Sequence, residues 1–178
     1  MHRLLRPAFD QAPGVRMIVH EDKLGWLLAD APAPASLHVR TYSHLVVESG
    51  VSFFAVPERA AALKRRFPPS LHGAPMLLPT GNTSLRRGLD AWFAAQEIVP
   101  VVVAEIDDSA VLKIFGVEGL GAFAAPTLVD QDVTRRSGVR RFGGTEAVRE
   151  SVYAITVERQ ITNPAVRAIT QLGAGKKP

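Results

Sequence analysis

The segment from Val99 to Pro126 constrains the fold more than any other part of the chain. An apolar run over 99–104 precedes an acidic turn, a helical pattern with three following glycines, and a second apolar run over 122–125. Strand, helix and strand in this order predict a crossover between parallel strands. Open α/β sheets bind ligands at the carboxyl ends of such strands, so we expect a small-molecule crevice here.

Composition excludes several classes of protein. The chain has 178 residues, is 47% hydrophobic and 21% charged, and contains no cysteine, so disulfides and thiolate metal sites are excluded. No apolar run reaches the ~20 residues of a membrane-spanning helix, and residues 1–7 lack the core of a secretory signal. We therefore expect a cytoplasmic protein without a membrane partner. The net charge of +4 comes from scattered basic pairs, which we interpret as solvated faces rather than a DNA-binding surface.

Outside this segment, the sequence predicts a mixture of helices and strands. The clearest helix carries Leu85, Leu89, Trp92 and Phe93 at helical spacing. A proline-rich connector occupies 31–36. Further predicted helices cover 2–11, 21–28, 57–66 and the stretch after Asn163, and predicted strands cover 15–20, 37–47, 51–56 (separated by Ser49-Gly50), 75–78, 139–142 and 151–158.

Several strings of this chain resemble the effector-binding region of LysR-type transcriptional regulators. The general markers are 85–93 (LRRGLDAWF) and 119–126 (GLGAFAAP). Three others, 51–55 (VSFFA), 105–110 (EIDDSA) and 153–159 (YAITVER), are similar to the sodium/proton-antiporter activator subgroup. A fourth, 163–166 (NPAV), differs by Asn163, where that subgroup usually has His. The resemblance extends over nearly the whole chain.

The resemblance implies an α/β fold of two Rossmann-like lobes, of the periplasmic-binding-protein-like type 2, with a small-molecule or ion effector between them. Lobe I would comprise 1–66 with 151–178, and lobe II 67–150, with a boundary at the Phe67-Pro68-Pro69 stop. Lobe I would form a homodimer through the helix at 2–11 and the strand at 15–20. Effector binding would shift the regulator between conformations.

Two departures from the family pattern limit this expectation. The winged-helix DNA-binding domain that begins such regulators is missing from this chain, so we expect DNA contact only through that missing part. Leu27-Leu28-Ala29-Asp30 also runs directly into the prolines at 32 and 34, where the family has a further central strand. We therefore expect an incomplete lobe I.

The candidate effector-binding residues lie at two helix starts and at the end of one strand. Backbone N–H groups and hydroxyls at a helix start bind anions or polar ligands, although the same residues also serve as ordinary caps. The positive end of the helix dipole argues against a cation at the second start. The candidates are Thr80, Gly81, Asn82 and Thr83 at the first start, Asp107, Asp108 and Ser109 at the second, and Phe123 with Pro126.

No pattern predicts catalysis, a cofactor or a metal site. The glycines at 116, 119 and 121 follow a helix, the reverse of the dinucleotide fingerprint. The five histidines are dispersed, and Ser109 has no base beside it in sequence. The sequence thus favours the sensing region of a transcriptional activator, with control of an antiporter gene by sodium or pH implied by the subgroup. The alternative is a stand-alone module that binds a small solute and no DNA.

Overall fold

The computed structural model describes residues 26–29, 32–33 and 40–156. Four helices and six strands lie within these ranges. The strands are β1 (Trp26–Ala29), β2 (Tyr42–Ala55), β3 (Pro75–Pro79), β4 (Val101–Ile106), β5 (Ala122–Pro126) and β6 (Arg140–Thr156). The helices are α1 (Pro57–Lys64), α2 (Ser84–Ala95), α3 (Ser109–Val117) and α4 (Asp130–Ser137), with short 3-10 turns at Pro69–Leu71 and Thr127–Val129. None of these helices is long and apolar enough to cross a membrane.

The chain divides into two compact units. The central unit is Ser49–Glu150, and the terminal unit combines Met1–Glu48 with Ser151–Pro178. These units divide the chain at 48/49 and 150/151, and the lobe bounds implied by the resemblance, 1–66 with 151–178 and 67–150, stay a prediction. Residues 49–66 belong to the central unit because Val51, Phe53 and Leu63 share one hydrophobic cluster with Trp92.

The central unit contains a five-stranded sheet in the order β6-β2-β5-β3-β4. β3 pairs in parallel with both β4 and β5, and β2 pairs antiparallel with β5. The strand–helix–strand unit of 99–126 is therefore confirmed as a crossover, with β3 lying between the two strands that it joins. Since β3, β4 and β5 are parallel, their carboxyl ends lie at the same edge of the sheet.

Helices cover both faces of this sheet, and residues of β2 alternate between the two faces. Val51 and Phe53 pack with α1 and α2, while Phe54 packs with α3 and α4. The predicted face of α2 is confirmed, because its four apolar residues, Leu85, Leu89, Trp92 and Phe93, are all buried. The predicted strand at 75–78 and the helix beginning at Pro57 are also present.

In the terminal unit, the structure replaces a predicted helix with a strand. Residues 26–29 form β1, which pairs antiparallel with β6 through Leu27 opposite Ile155 and Leu28 opposite Ala154. A four-residue apolar run fits either a helix or a strand, and the available partner strand decides between them. The predicted elements at 2–11, 15–20 and after 163 lie outside the described residues, and an incomplete lobe I stays a prediction.

Two other predicted breaks are wrong. Residues on both sides of Ser49-Gly50 form one strand, β2, and the described parts of the strands predicted at 139–142 and 151–158 belong to one strand, β6, which extends from Arg140 to Thr156. The glycines in these strands allow close packing. A Cβ on Gly50 would collide with the Glu146 carboxylate, and one on Gly143 would lie 2.5 Å from the Phe67 ring.

The predicted apolar face of α3 is only partly buried. Leu112 is in the core, whereas Val111 and Phe115 are exposed. The neighbouring strand β4 has exposed valines at 101, 102 and 103, because its outer side has no partner strand among the described residues. We use the name β4/α3 face for the set of exposed apolar side chains at this edge of the sheet, namely Val101, Val102 and Val103 with Ile114 of α3.

Candidate functional site

Polar residues follow each of the three parallel strands at the same edge of the central unit. Thr80 follows β3, Asp107 follows β4, and Thr127 follows β5. Ser52 on β2 lies at the same edge, because it pairs with Ala125, one residue before the end of β5. We call this group of residues the carboxyl edge.

The two predicted helix starts meet at the carboxyl edge. Thr80 Oγ1 lies 2.7 Å from Asn82 Oδ1 and 3.0 Å from Asp107 Oδ1. A hydroxyl has a single proton, so Thr80 donates to one of these oxygens at a time. Thr80, Asn82 and Asp107 thus form one exposed polar group, which we call the Thr80 cluster.

Thr83 and Asp108, the following residues of the two predicted helix starts, cap their helices. The Thr83 side chain accepts a hydrogen bond of 3.1 Å from the Arg86 N–H. The Asp108 carboxylate accepts from the N–H groups of Ala110 and Val111 at 2.7 and 3.1 Å. Each cap holds the first turn of its helix, so Thr83 and Asp108 fix the position of the Thr80 cluster.

The remaining predicted site residues occupy different environments. Gly81 is exposed with open space around its Cα, and Ser109 is the first residue of α3. Pro126 is half-buried at the end of β5. Phe123, in contrast, is 0% exposed and stacks on Phe54 with ring centroids 5.5 Å apart. Phe123 therefore belongs to the hydrophobic core, and its inclusion among the effector-contacting residues is corrected.

Arg86 connects the ends of β3 and β4 beneath the Thr80 cluster. Its guanidinium donates to the Pro79 carbonyl at 2.9 Å, to Glu105 Oε1 at 2.8 Å and to Asp90 at 2.9 Å. Only 14% of the side chain is exposed. A half-enclosed guanidinium bound to two carboxylates and a carbonyl is a rigid connection, so it holds the two strand ends together.

A second polar cluster at the carboxyl edge was not predicted from the sequence. Ser52 is fully buried, and its hydroxyl lies 3.1 Å from Thr127 Oγ1 and 3.0 Å from Asp130 Oδ2. Arg141 Nε lies 2.9 Å from Ser52 Oγ and 3.0 Å from Asp130 Oδ2. Ser52 is the one polar residue in the run from Val51 to Ala55, and that interruption of a buried strand was the available signal.

Asp130 is the electrostatic centre of this Ser52 cluster. Desolvation by burial raises the pKa of its carboxyl above the ordinary value, although the hydrogen bond from Ser52 and the charge of Arg141 act in the opposite direction. Its second oxygen, Oδ1, is buried and accepts no hydrogen bond within the described part of the chain. Residues 26–29, 32–33 and 40–156 contain no group of three or more His, Asp or Glu that could hold a metal ion.

Comparison of the sequence with known proteins identifies its relatives. The model of the LysR substrate binding domain matches residues 36–174. The transcriptional activator protein NhaR of Escherichia coli K12 is 33% identical over 152 residues, which cover 84% of this chain and 48% of that protein. The NhaR protein of Shigella flexneri matches equally. This chain thus spans about half the length of these curated relatives.

Solved structures share the fold. The effector domain of the transcriptional regulator AmpR of Pseudomonas aeruginosa superposes with a TM-score of 0.63 at 19% identity, covering 85% of this chain and 73% of that one. The regulatory domain of CcmR from Synechocystis PCC6803, solved with 2-PG, gives 0.59 at 11% identity, covering 98% and 91%. These matches confirm the α/β fold of the periplasmic-binding-protein-like type 2.

Proposed function

Because the chain belongs to the LysR substrate-binding domain family, we propose that it is the effector-sensing region of a LysR-type transcriptional activator. Members of this family are effector-binding domains of transcription regulators and are not enzymes. The chain spans 48% of the NhaR activators that it resembles, so we assign it the effector-responsive part of such a regulator. Its place of action would be the cytoplasm, where the regulated DNA is.

The observation that carries this proposal is the Thr80 cluster. Two helix starts that are separated by 27 residues in sequence bring a hydroxyl and a carboxylate to 3.0 Å at the carboxyl edge. The cluster is exposed, and it offers donors and acceptors beside two helix N-termini, as a site for a small polar effector requires. Thr83, Asp108 and Arg86 hold it in position without occupying its outer surface.

A response to sodium or pH is the finer part of the proposal. It is supported by the 33% identity to activators named NhaR and by the carboxylate and amide oxygens of Asp107 and Asn82, which are suitable ligands for a hard cation. The helix dipoles oppose a cation at this place, so any direct site would be weak. Titration with NaCl against KCl at constant ionic strength, with Asp107→Asn as the test variant, separates a specific effect of sodium from salt screening.

We further propose that the chain forms a homodimer, as implied for lobe I by the resemblance. The β4/α3 face belongs to lobe II and is a separate surface from that lobe I contact. Its exposed apolar side chains favour an additional contact with a second copy. Ile114 is 59% exposed and Val101 54%. An edge strand with apolar side chains also aggregates unless a specific partner covers it.

The proposed function is tested by a ligand screen on the full 178-residue chain. Thermal denaturation in the presence of small organic acids, amino acids, sugars and alkali cations should identify a compound that raises the melting temperature. Thr80→Val and Asp107→Asn should each weaken binding of that compound. Ser70→Ala is the matched control, because it removes a hydroxyl that donates to the Leu63 carbonyl away from the carboxyl edge. A ligand whose affinity is unchanged in both test variants contradicts the assigned site, and turnover of the ligand contradicts a sensing role.

A further inference from the structure

Arg141 is fixed at one side of its guanidinium and open at the other. Its Nε donates a hydrogen bond to Ser52 Oγ at 2.9 Å and lies in an ion pair 3.0 Å from Asp130 Oδ2. The hydrogen bond that Arg141 makes with the described residues does not use its two terminal nitrogens, Nη1 and Nη2. The side chain is 48% exposed, so the guanidinium is not enclosed by the cluster.

The Ser52 hydroxyl has no capacity left for a further partner. It has one proton, which is donated to Asp130 Oδ2, and two lone pairs. Arg141 Nε–H and the Thr127 hydroxyl are its two donors, at 2.9 and 3.1 Å. Because Ser52 is 0% exposed and fully hydrogen-bonded, it is a fixed support for the guanidinium rather than a contact for a ligand.

Gly144 leaves room for the Arg141 guanidinium. A Cβ at this position would lie 2.6 Å from Arg141 Nη2, closer than any side chain allows. It would also lie 3.1 Å from the Val51 carbonyl. The absence of a side chain at Gly144 therefore leaves space for the guanidinium in the position where Nε bonds to Ser52.

We propose that Arg141 binds an oxyanion group, a carboxylate or a phosphate, of the effector through Nη1 and Nη2. This inference rests on the proposed function and adds the chemical class of the ligand. A guanidinium presents paired N–H groups that match two oxygens of one oxyanion, and a fixed guanidinium loses little side-chain entropy on binding. The ion pair with Asp130 is made through Nε, so the proposal places a second, anionic partner at Nη1 and Nη2.

The test uses the full chain with inorganic phosphate and succinate as separate probes at constant ionic strength. Binding is measured by isothermal titration calorimetry and by the rise in melting temperature. Arg141→Gln should weaken binding of at least one probe about tenfold or more, equivalent to about 1.4 kcal/mol. Arg140→Gln is the matched control, because it removes the same charge from the exposed neighbouring residue and should leave binding unchanged.

A further variant separates ligand binding from an effect on folding. Gly144→Ala retains the charge of Arg141 but displaces its guanidinium, so it should also weaken binding while Arg140→Gln does not. Denaturation of each variant without ligand shows which variants are folded. Comparison of the affinities for phosphate and for succinate shows whether the oxyanion group is a phosphate or a carboxylate.

Two outcomes overturn the inference. The first is that each probe that binds the wild-type chain binds Arg141→Gln equally well. The second is that neither probe binds the wild-type chain. If an uncharged compound from the effector screen then binds in a Thr80-dependent manner, the proposed function stands and only the oxyanion inference fails. If no compound of any kind binds, both fail.

Discussion

Thr80 and Asp107 follow different strands, yet their side chains meet with Oγ1 and Oδ1 3.0 Å apart. Their contact is a consequence of the parallel pairing of β3 with β4, in which Pro79 is opposite Ile106. The residues after these two partners are necessarily neighbours. Any polar side chains placed there by the sequence would converge, which is why the carboxyl edge of such a sheet so often forms a binding site.

We expect loss of the Asp108 cap to destabilise the central unit. Asp108→Ala removes the acceptor for the Ala110 and Val111 N–H groups and should lower the free energy of unfolding by about 1 kcal/mol. Urea denaturation measures this change. Asp108→Ser retains an acceptor and should recover most of the loss, and equal destabilisation by Ala and Ser would show that capping is not the cause.

Arg86 should contribute more to stability than its neighbour Arg87. Arg86→Gln breaks the hydrogen bonds to Pro79, Glu105 and Asp90. It should lower the free energy of unfolding by about 2 kcal/mol, because two carboxylates lose a charged donor that is partly buried. Arg87→Gln removes the same charge but only one bond, to the Asn82 carbonyl, and should change stability by less than about 0.5 kcal/mol. Similar losses in both variants would contradict the role of Arg86 in connecting the strand ends.

Periodicity and capping residues predicted the regular parts of the central unit. The apolar spacing of α2 and the strand–helix–strand pattern of 99–126 depend on local sequence, and both are present. Residues 26–29 form a strand because β6 lies beside them, and a single sequence does not show that partner. Ser49-Gly50 suggested a chain break for the same reason, since the Glu146 side chain that approaches Gly50 comes from a distant residue.

The candidate site was predictable in part. The Thr80 cluster follows from turn residues after two strands, a local signal. The Ser52 cluster depends on residues 52, 127, 130 and 141, which only the strand order β6-β2-β5 brings together. Phe123 was placed at the site together with Pro126, but residues 122–125 of β5 are all buried, and its ring packs in the cluster with Leu112 and Val133.

Asp130 should make stability depend on pH in the acidic range. Burial raises its pKa in the folded chain above the unfolded value, so its contribution to stability is fully present below the unfolded pKa and is lost as pH rises through the folded pKa. The free energy of unfolding of wild type minus that of Asp130→Asn should therefore fall with rising pH and then level off. Denaturation over a pH series measures it. Asp132→Asn, which makes the same charge change at an exposed position, is the control. A stability difference between wild type and Asp130→Asn that rises with pH would refute the assignment.

The β4/α3 face should determine the oligomeric state if a second copy covers it. Ile114→Lys introduces a charge at the most exposed apolar residue of α3 and should convert a dimer to a monomer in analytical ultracentrifugation. Leu128→Lys provides a matched control, since Leu128 is an exposed apolar residue outside this face. A dimer that persists in Ile114→Lys would place the contact elsewhere on the chain.

Gly116 should not tolerate even a methyl group. Alanine in a helix is normally more favourable than glycine by about 1 kcal/mol, but a Cβ at this position would collide with the ring of Phe123. That ring is fixed by Phe54, so the net effect of Gly116→Ala should be a loss of roughly 1–3 kcal/mol. The double variant Gly116→Ala/Phe123→Leu should lose less than the sum of the two single changes, because the smaller side chain makes room for the methyl group. Strict additivity in this double-mutant cycle, measured by urea denaturation, would show that the two residues do not compete for the same space.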